Sequence, residues 1–393
     1  MPARNTTRSY GSVSRTFHWL TALLILAAFP LGVIANDMAY DTAAAAAEKA
    51  RLFSIHKTVG VAVFFVALAR IAWAFVEVKP AGLHPGRRVE TFLAEVVHWA
   101  LYLSLVVVPL SGWVHHAAVT GFAPILWPFG QGLPFVPVSE AVAGVAGAVH
   151  WLFTKVLFAA VALHVAGAMR HAIVDRDLVL ARMAWGAEAG TPGARHGLVP
   201  AVAAVAIFAT GGAVAWQMAA PSEAATAEAA APAVTGGNWQ VAEGSLGLTV
   251  RQMGADVAGA LPGWTAVIDF DDSSGTGRVR VEIDMAQVTI GSVTDQARGP
   301  EFLDVAAHPV AVFEAEILSV GETFEARGTL RLRGAEVPVV LPFTLDIQGE
   351  TARMAGALVL DRRDFGMGAS YGDEATVGFA VQVAVALTAQ RMR

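Results

Sequence analysis

The chain has 393 residues, 55% of them apolar and 15% charged, with a net charge of −6 and no cysteine. That balance excludes an ordinary soluble enzyme, and the few basic residues are accounted for by membrane flanks, which leaves nothing for nucleic acid to bind. Without cysteine there are no disulfides, thiolate metal sites, iron-sulfur clusters or thioether-attached haem.

Windows of about twenty apolar residues, enough to cross a hydrocarbon core of roughly 30 Å, begin near Phe17, Ile55, Glu95, Ala148 and Leu198. Five spans are therefore predicted. The first is too long and too richly flanked for a cleaved leader and is expected to stay in the fold. Arg4, Arg8 and Arg15 precede it, Lys79, Arg87 and Arg88 fall between spans two and three, and Arg170, Arg176, Arg182 and Arg195 fall between four and five. Those segments should face the cytoplasm. The loop from Asn36 to Ser54 sets Lys49 and Arg51 against Asp37, Asp41 and Glu48, and Ala117 to Gly147 has no Lys or Arg, as external segments should. An odd number of spans then exports everything after Ala219.

The histidines of the spans fall at two depths. Span one carries His18 at its inner end, span two His56 at its outer end, and span four His150 outside and His164 inside. At about 1.5 Å and 100° per residue, the fourteen residues from His150 to His164 make just under four turns, so both lie on one helix face about 21 Å apart. The depths match in couples, His18 with His164 and His56 with His150. Ionisable side chains inside a span are costly and by default mark function. Two couples of imidazoles facing across a helical bundle suit the axial positions of two non-covalently held haems. Arg70, fourteen residues after His56 and on the same face at the inner level, suits haem propionates. A zinc or copper site would want its ligands at one depth beside carboxylates, whereas interhelical hydrogen bonding or proton relay is the non-ligand reading of the same histidines.

His98, at the inner beginning of span three, and His171, two turns beyond His164, are alternatives for the inner ligand, or partners for a propionate or a quinone carbonyl. His84, His115, His116 and His196 are expected to be solvated. Trp19, Trp73, Trp99, Trp113, Trp127 and Trp151 lie near span ends, where indoles anchor at the interface. The fifth span, 198–219, has no ionisable residue and reads as a mechanical joint.

Residues 220–237, rich in Ala, Pro, Ser, Thr and Glu, cannot bury enough surface to fold and read as a tether. From Asn238 the apolar period becomes two. RVRVEIDM sets Val279, Val281, Ile283 and Met285 on one side; TFEARGTLRLRG, VPVVLPFTLDI and VGFAVQVAVAL alternate likewise. Strands of this kind with Gly and Asp turns between them predict an antiparallel barrel or sandwich over 238–393. Phe270, Phe313, Phe343 and Phe379 fall on the apolar side and are candidate lumen residues. A self-filled core is the alternative to a ligand cavity.

SRTFHWL, SIHKTVG, VVHWALYL and HWLFTKVLFAAVALHVAGAMRH followed by DRDLVLARM resemble the bacterial cytochrome b561 family over residues 8–185. The resemblance implies a four-helix membrane bundle carrying two haems b, which takes electrons from quinol, with His18, His56, His150 and His164 matching the haem ligands. It places the chain in a bacterial inner membrane, its N-terminus cytoplasmic. NWQV with SLGLTV, GWTAVIDFDD, FLDVAAHPVAVFEAEI, FEARGTLRLRGAEVPVVLPFTL and LVLDRRDFGMG resemble the YceI-like domains over 238–391. That second resemblance implies a lipocalin-like barrel in the periplasm whose lumen holds a polyprenyl chain, often that of an isoprenoid quinone.

The architecture expected is thus a multidomain one, an all-α transmembrane bundle of four helices plus a fifth span, followed by an all-β antiparallel lipocalin-like barrel. The function expected is electron transfer from quinol, with quinone as substrate or bound lipid, membrane lipids around the bundle and a redox partner protein as acceptor. Two other readings stand beside it: a quinol-dependent oxidoreductase acting on a small acceptor such as superoxide, and a lipid-binding protein whose membrane half is an anchor.

Overall fold

A computed structural model describes residues 2–84, 86–119, 123–190, 198–219 and 237–392. His196, Arg195 and all but Gly237 of the tether expected at 220–237 lie outside the described residues. The chain divides into two compact units, one built on the long helices and one on the strands.

The helices α1 (Ser12–Asp37), α2 (Ala43–Val76), α3 (Arg88–Ala118), α4 (Glu140–Arg170), α5 (Val179–Trp185) and α6 (Val199–Ala219) follow in order and make up the first unit, except for the first turns of α2, up to Arg51, which are grouped with the second. Five of these, all but α5, are long and apolar enough to cross a membrane, α4 being extended by a π-helical turn at His171–Asp175. The protein is a multi-pass membrane protein. Several helices begin well before the apolar windows. In α2 the additional turns are alanine-rich with a bidentate Glu48–Arg51 pair at 2.6 and 2.7 Å, a strong helix former that hydropathy overlooks. Ser139 caps α4, its side chain accepting from the Val142 amide.

The helices pack through small clusters rather than one core. Val63, Ala67 and Leu105 meet between α2 and α3, and Val108, Phe153 and Leu157 between α3 and α4. The fifth span lies on this pair, with Phe208 stacked on Phe153 at 4.5 Å. Gly211 admits that ring, since a Cβ there would stand 2.9 Å from Phe153 Cζ. Trp113, expected at the interface, is instead buried and packs with Val61 and Ile125; its edge contacts to Phe64 and Trp127 outweigh an interfacial position.

The second unit is a closed antiparallel barrel. Its strands are β1 (Trp239–Gln252), β2 (Ala255–Ala260), β3 (Trp264–Asp271), β4 (Thr276–Asp284), β5 (Val310–Val320), β6 (Thr323–Leu332), β7 (Ala335–Gln348), β8 (Thr351–Asp361) and β9 (Val377–Arg391). Each strand from β3 onward pairs with the next, and β9 returns to pair with β1. Both β2 and β3 lie against β1, β2 along Gly247–Gln252 and β3 at Trp239, so nine strands fill eight positions of the barrel. Among the described strands, closure leaves unpaired only the far side of the short β2, which is bridged once, at Ala260 and Thr289. Met253 and Gly254, both at positive φ, make the tight turn from β1 to β2, and Arg333 and Gly334 make that from β6 to β7.

The two-residue alternation places one face of every strand on an apolar interior. That interior encloses a cavity of about 300 Å³. A buried cluster around Val257, Val288 and Phe365 fills one part of the barrel and another around Trp239, Phe270 and Phe343 fills a second.

Candidate functional site

The four histidines singled out by depth meet in two couples. His18 of α1 and His164 of α4 have ring centroids 6.0 Å apart, and His56 of α2 and His150 of α4 have theirs 6.2 Å apart. A metal–imidazole bond of about 2.0 Å on each side of a porphyrin centre sets two ring centroids roughly 6.4 Å apart. Both couples fit that spacing without a change of helix position. The donor chemistry fits as well: two imidazoles of neutral type suit iron in a porphyrin.

In the outer couple the orientation of each ring is dictated by backbone. His56 Nδ1–H donates to the Ala28 carbonyl of α1 at 2.8 Å, and His150 Nδ1–H donates to the Val108 carbonyl of α3, also at 2.8 Å. A carbonyl only accepts, so Nδ1 carries the proton and Nε2 is the ring nitrogen with a free lone pair. Each carbonyl stands four residues before a glycine. A Cβ at Gly32 would lie 2.7 Å from His56 Cε1, and one at Gly112 would lie 2.8 Å from His150 Nδ1. Glycine therefore opens the helix surface, and the neighbouring imidazole reaches a carbonyl that a side chain would shield. The same arrangement holds His115, whose Nδ1 donates to Ala143 O at 2.8 Å with Gly147 four residues on. Neither device was visible in the sequence reading; its signal is the glycine after an in-helix proline in FPLG (Pro30, Gly32) and VPLSG (Pro109, Gly112).

At the inner couple the surroundings are cationic and aromatic. Arg70 is an electrostatic neighbour of His18, His98 and His164, and its guanidinium lies over the Tyr102 ring at 5.3 Å. His98 stands 5.0 Å from His164 in edge-to-face contact, with its Nδ1 donating to Ala94 O of its own helix at 2.6 Å. That separation is too short to admit a metal between the rings, which makes His18 the better partner of His164.

His171 is engaged elsewhere. Its Nδ1 donates to Asp177 Oδ2 at 2.7 Å, its Nε2 is 3.3 Å from Glu90 Oε1, and its ring stacks on His84 at 5.7 Å. His84 in turn donates from Nε2 to Asp177 at 2.8 Å, so the solvated histidine expected in the basic loop is half-buried and hydrogen-bonded to a carboxylate. His116 departs from expectation in the same way. It is 5% exposed, with Nε2–H donating to Gln131 Oε1 at 2.9 Å and Nδ1 facing Lys57 Nζ at 3.2 Å. Sequence reasoning passed over Lys57, although a lysine directly after His56 in an apolar span is itself a signal.

In the barrel, Phe270, Phe313 and Phe343 line the cavity. Phe379 does not line it. The β1–β9 ladder is irregular between Val377 and Val381, and the Phe379 ring there lies against the guanidinium groups of Arg362 and Arg363 at 5.1 and 3.9 Å. Asp361, which caps the turn bearing these arginines, is held at about 2 by the hydrogen bond from Arg363 and so stays ionised.

A helical membrane unit with paired intramembrane histidines, followed by a closed lipocalin-like barrel, defines the class. The model of the prokaryotic cytochrome b561 family matches residues 9–186, and that of the YceI-like domain matches residues 238–389. Cytochrome b561 homolog 2 of Escherichia coli (strain K12) is 30% identical over 188 residues, 47% of this chain and 95% of that protein. Among solved structures, BcnA of Burkholderia cenocepacia is 26% identical, covering 37% of this chain and 95% of that one with a TM-score of 0.36. A YCEI protein of Campylobacter jejuni is 19% identical, covering 34% and 85% with a TM-score of 0.32. The chain belongs to the prokaryotic cytochrome b561 family and carries a YceI-like domain after its last span. Haem and electron transport follow from that family.

Proposed function

We propose that the protein is a diheme membrane cytochrome that accepts electrons from quinol, and that its barrel carries an isoprenoid quinone or related polyprenyl lipid at the periplasmic face. The observation that carries the reading is the pair of histidine couples at 6.0 and 6.2 Å, one near each end of α4. When bound, haem b supplies one-electron redox chemistry. His18 and His164 would hold one such group, and His56 and His150 the other. His56 and His150 each donate Nδ1–H to a fixed carbonyl, which leaves Nε2 with its lone pair as the nitrogen that would serve as ligand. Arg70 offers a positive charge to propionates at the inner level. Along α4 the two positions are about 21 Å apart, so two haems would break a hydrocarbon core of roughly 30 Å into shorter electron-transfer steps. The basic flanks support an N-terminus in the cytoplasm and a barrel in the periplasm.

Haem quantitation on the purified full-length chain tests this directly. Two haems b per chain, both reduced by a short-chain quinol, are expected; a single haem, or failure of quinol to reduce either, overturns the diheme quinol reading.

The backbone contacts make a narrower prediction. Gly112→Ala is expected to push the His150 ring off Val108 and weaken retention of the outer haem by about 10- to 100-fold, the usual cost of disturbing the group that orients a metal ligand. Gly144→Ala, at a position with nothing within 4 Å of the added carbon, should leave both haems in place. Equal behaviour of the two variants in haem titration would show that the glycine is incidental.

A further inference from the structure

The barrel lumen is almost wholly apolar, and its polar side chains gather at one end. Indole groups aside, the lining side chains with polar atoms are Gln252, Gln296 and Arg362, and Arg362 is the one charged residue among the described lining residues. Gln252 stands opposite Val377 in the β1–β9 ladder. Arg362 donates to the carbonyls of Val377 and Gly378 at 3.2 and 3.1 Å and to that of Tyr371 at 2.5 Å, and Gln296 donates to the Tyr371 hydroxyl at 2.7 Å. At the far end of β1 the lumen is closed by Trp239, packed with Phe270 and Phe343.

These polar groups differ in what they have left to offer. Arg362 has five N–H groups, and five carbonyls take them, those of Met367 and Gly368 completing the set at 2.7 and 3.0 Å. No guanidinium donor remains for a phosphate or carboxylate. Both amide N–H donors of Gln296 are spent, one on the Tyr371 hydroxyl and one on the Tyr40 carbonyl. Gln252 is different: it is 4% exposed, and its Oε1 is buried in the lumen with no hydrogen-bond partner. An orphaned buried acceptor of this kind costs free energy, which a hydroxyl brought in by a ligand would recover.

We infer that the barrel selects lipids with an uncharged, hydrogen-bonding head and an apolar tail, namely prenylated quinones, quinols or prenols, and that Gln252 holds the head. This rests on the reading of the barrel as a lipid carrier. A carboxamide suits both redox forms of a quinone. A quinol hydroxyl donates to Oε1, and the amide turned over donates N–H to a quinone carbonyl. A diphosphate at the same place would bury several negative charges with no free cation to meet them and only the one carboxamide of Gln252 beside it. The lumen thus discriminates by what it withholds as much as by what it supplies.

Calorimetric titration of the full-length chain with three probes tests the inference: farnesol, a benzoquinone bearing two isoprene units, and farnesyl diphosphate. The barrel's share of binding is the part lost in Ala266→Trp, which fills the lumen. The neutral probes should bind in the barrel at least about tenfold more tightly than the diphosphate, and Gln252→Leu should weaken them about tenfold while leaving the diphosphate unchanged. Thermal unfolding of each variant reports that the barrel is intact, and Gln252→Asn, which keeps the amide, should restore part of the affinity. A diphosphate that binds as tightly as the neutral probes, or neutral binding indifferent to Gln252→Leu, overturns the head-group inference alone. No loss of any probe in Ala266→Trp would instead remove the carrier reading, and the inference with it.

Discussion

His56→Ala is expected to release one haem and spare the other, so that haem content falls from two to one per chain and a redox titration keeps a single wave. His18→Ala should do the converse. The expectation follows from where the ligands sit. His56 and His18 belong to different helices and meet α4 at positions about 21 Å apart, too far for the loss of one ring to disturb the other couple directly. The remaining wave should differ between the two variants, because the inner couple is surrounded by Arg70 and His98 whereas the outer couple faces main-chain carbonyls. Loss of both haems from a chain that still folds, or of neither, would refute the pairing. His98→Ala provides the contrast: its ring lies too close to His164 to share a metal with it, and its removal should shift a potential without releasing haem.

The second large effect concerns the barrel. Arg362→Leu should destabilise that unit by on the order of 4 kcal/mol, since it removes a donor from five buried carbonyls, of which that of Gly368 still accepts from the Tyr371 amide, and opens a gap where the guanidinium stood. For a domain of this size such a loss corresponds to a fall in Tm of roughly 10 °C. Arg362→Lys should recover little of it, because an ammonium has three donors on one atom and cannot reach carbonyls spread along residues 367–378. Haem content serves as the internal control and should stay at the wild-type value. An unchanged Tm for the barrel transition in Arg362→Leu would mean that the carbonyls find water or other N–H donors without cost.

How far such effects could be foreseen from sequence depends on the kind of order involved. The histidine couples were legible because helix rise is constant: fourteen residues between His150 and His164 fix a depth difference before any packing is known. Strand faces were legible for the same reason, the period of two putting Phe270, Phe313 and Phe343 inward. Phe379 broke the pattern where the β1–β9 ladder becomes irregular, and ladder irregularities come from pairing with another strand rather than from the strand's own residues. The cluster of His84 with His171 and Asp177 was hidden by the same limitation, since 93 residues separate His84 from the carboxylate it meets. Burial of His116 also needed Gln131 and Lys57 to be brought to it from other parts of the chain.

The carbonyl contacts of His56 and His150 have a consequence for how such sites are hunted by mutagenesis. To their imidazoles Ala28 and Val108 offer only main-chain oxygen, so substituting their side chains leaves the acceptor untouched, and a scan read by haem content would score both positions as silent. The vulnerable residue is displaced by one turn onto Gly32 or Gly112, which touches no proton and holds no charge. Variation at a metal centre of this type should therefore be tolerated at the atom that does the bonding and punished at a residue that only stays out of the way.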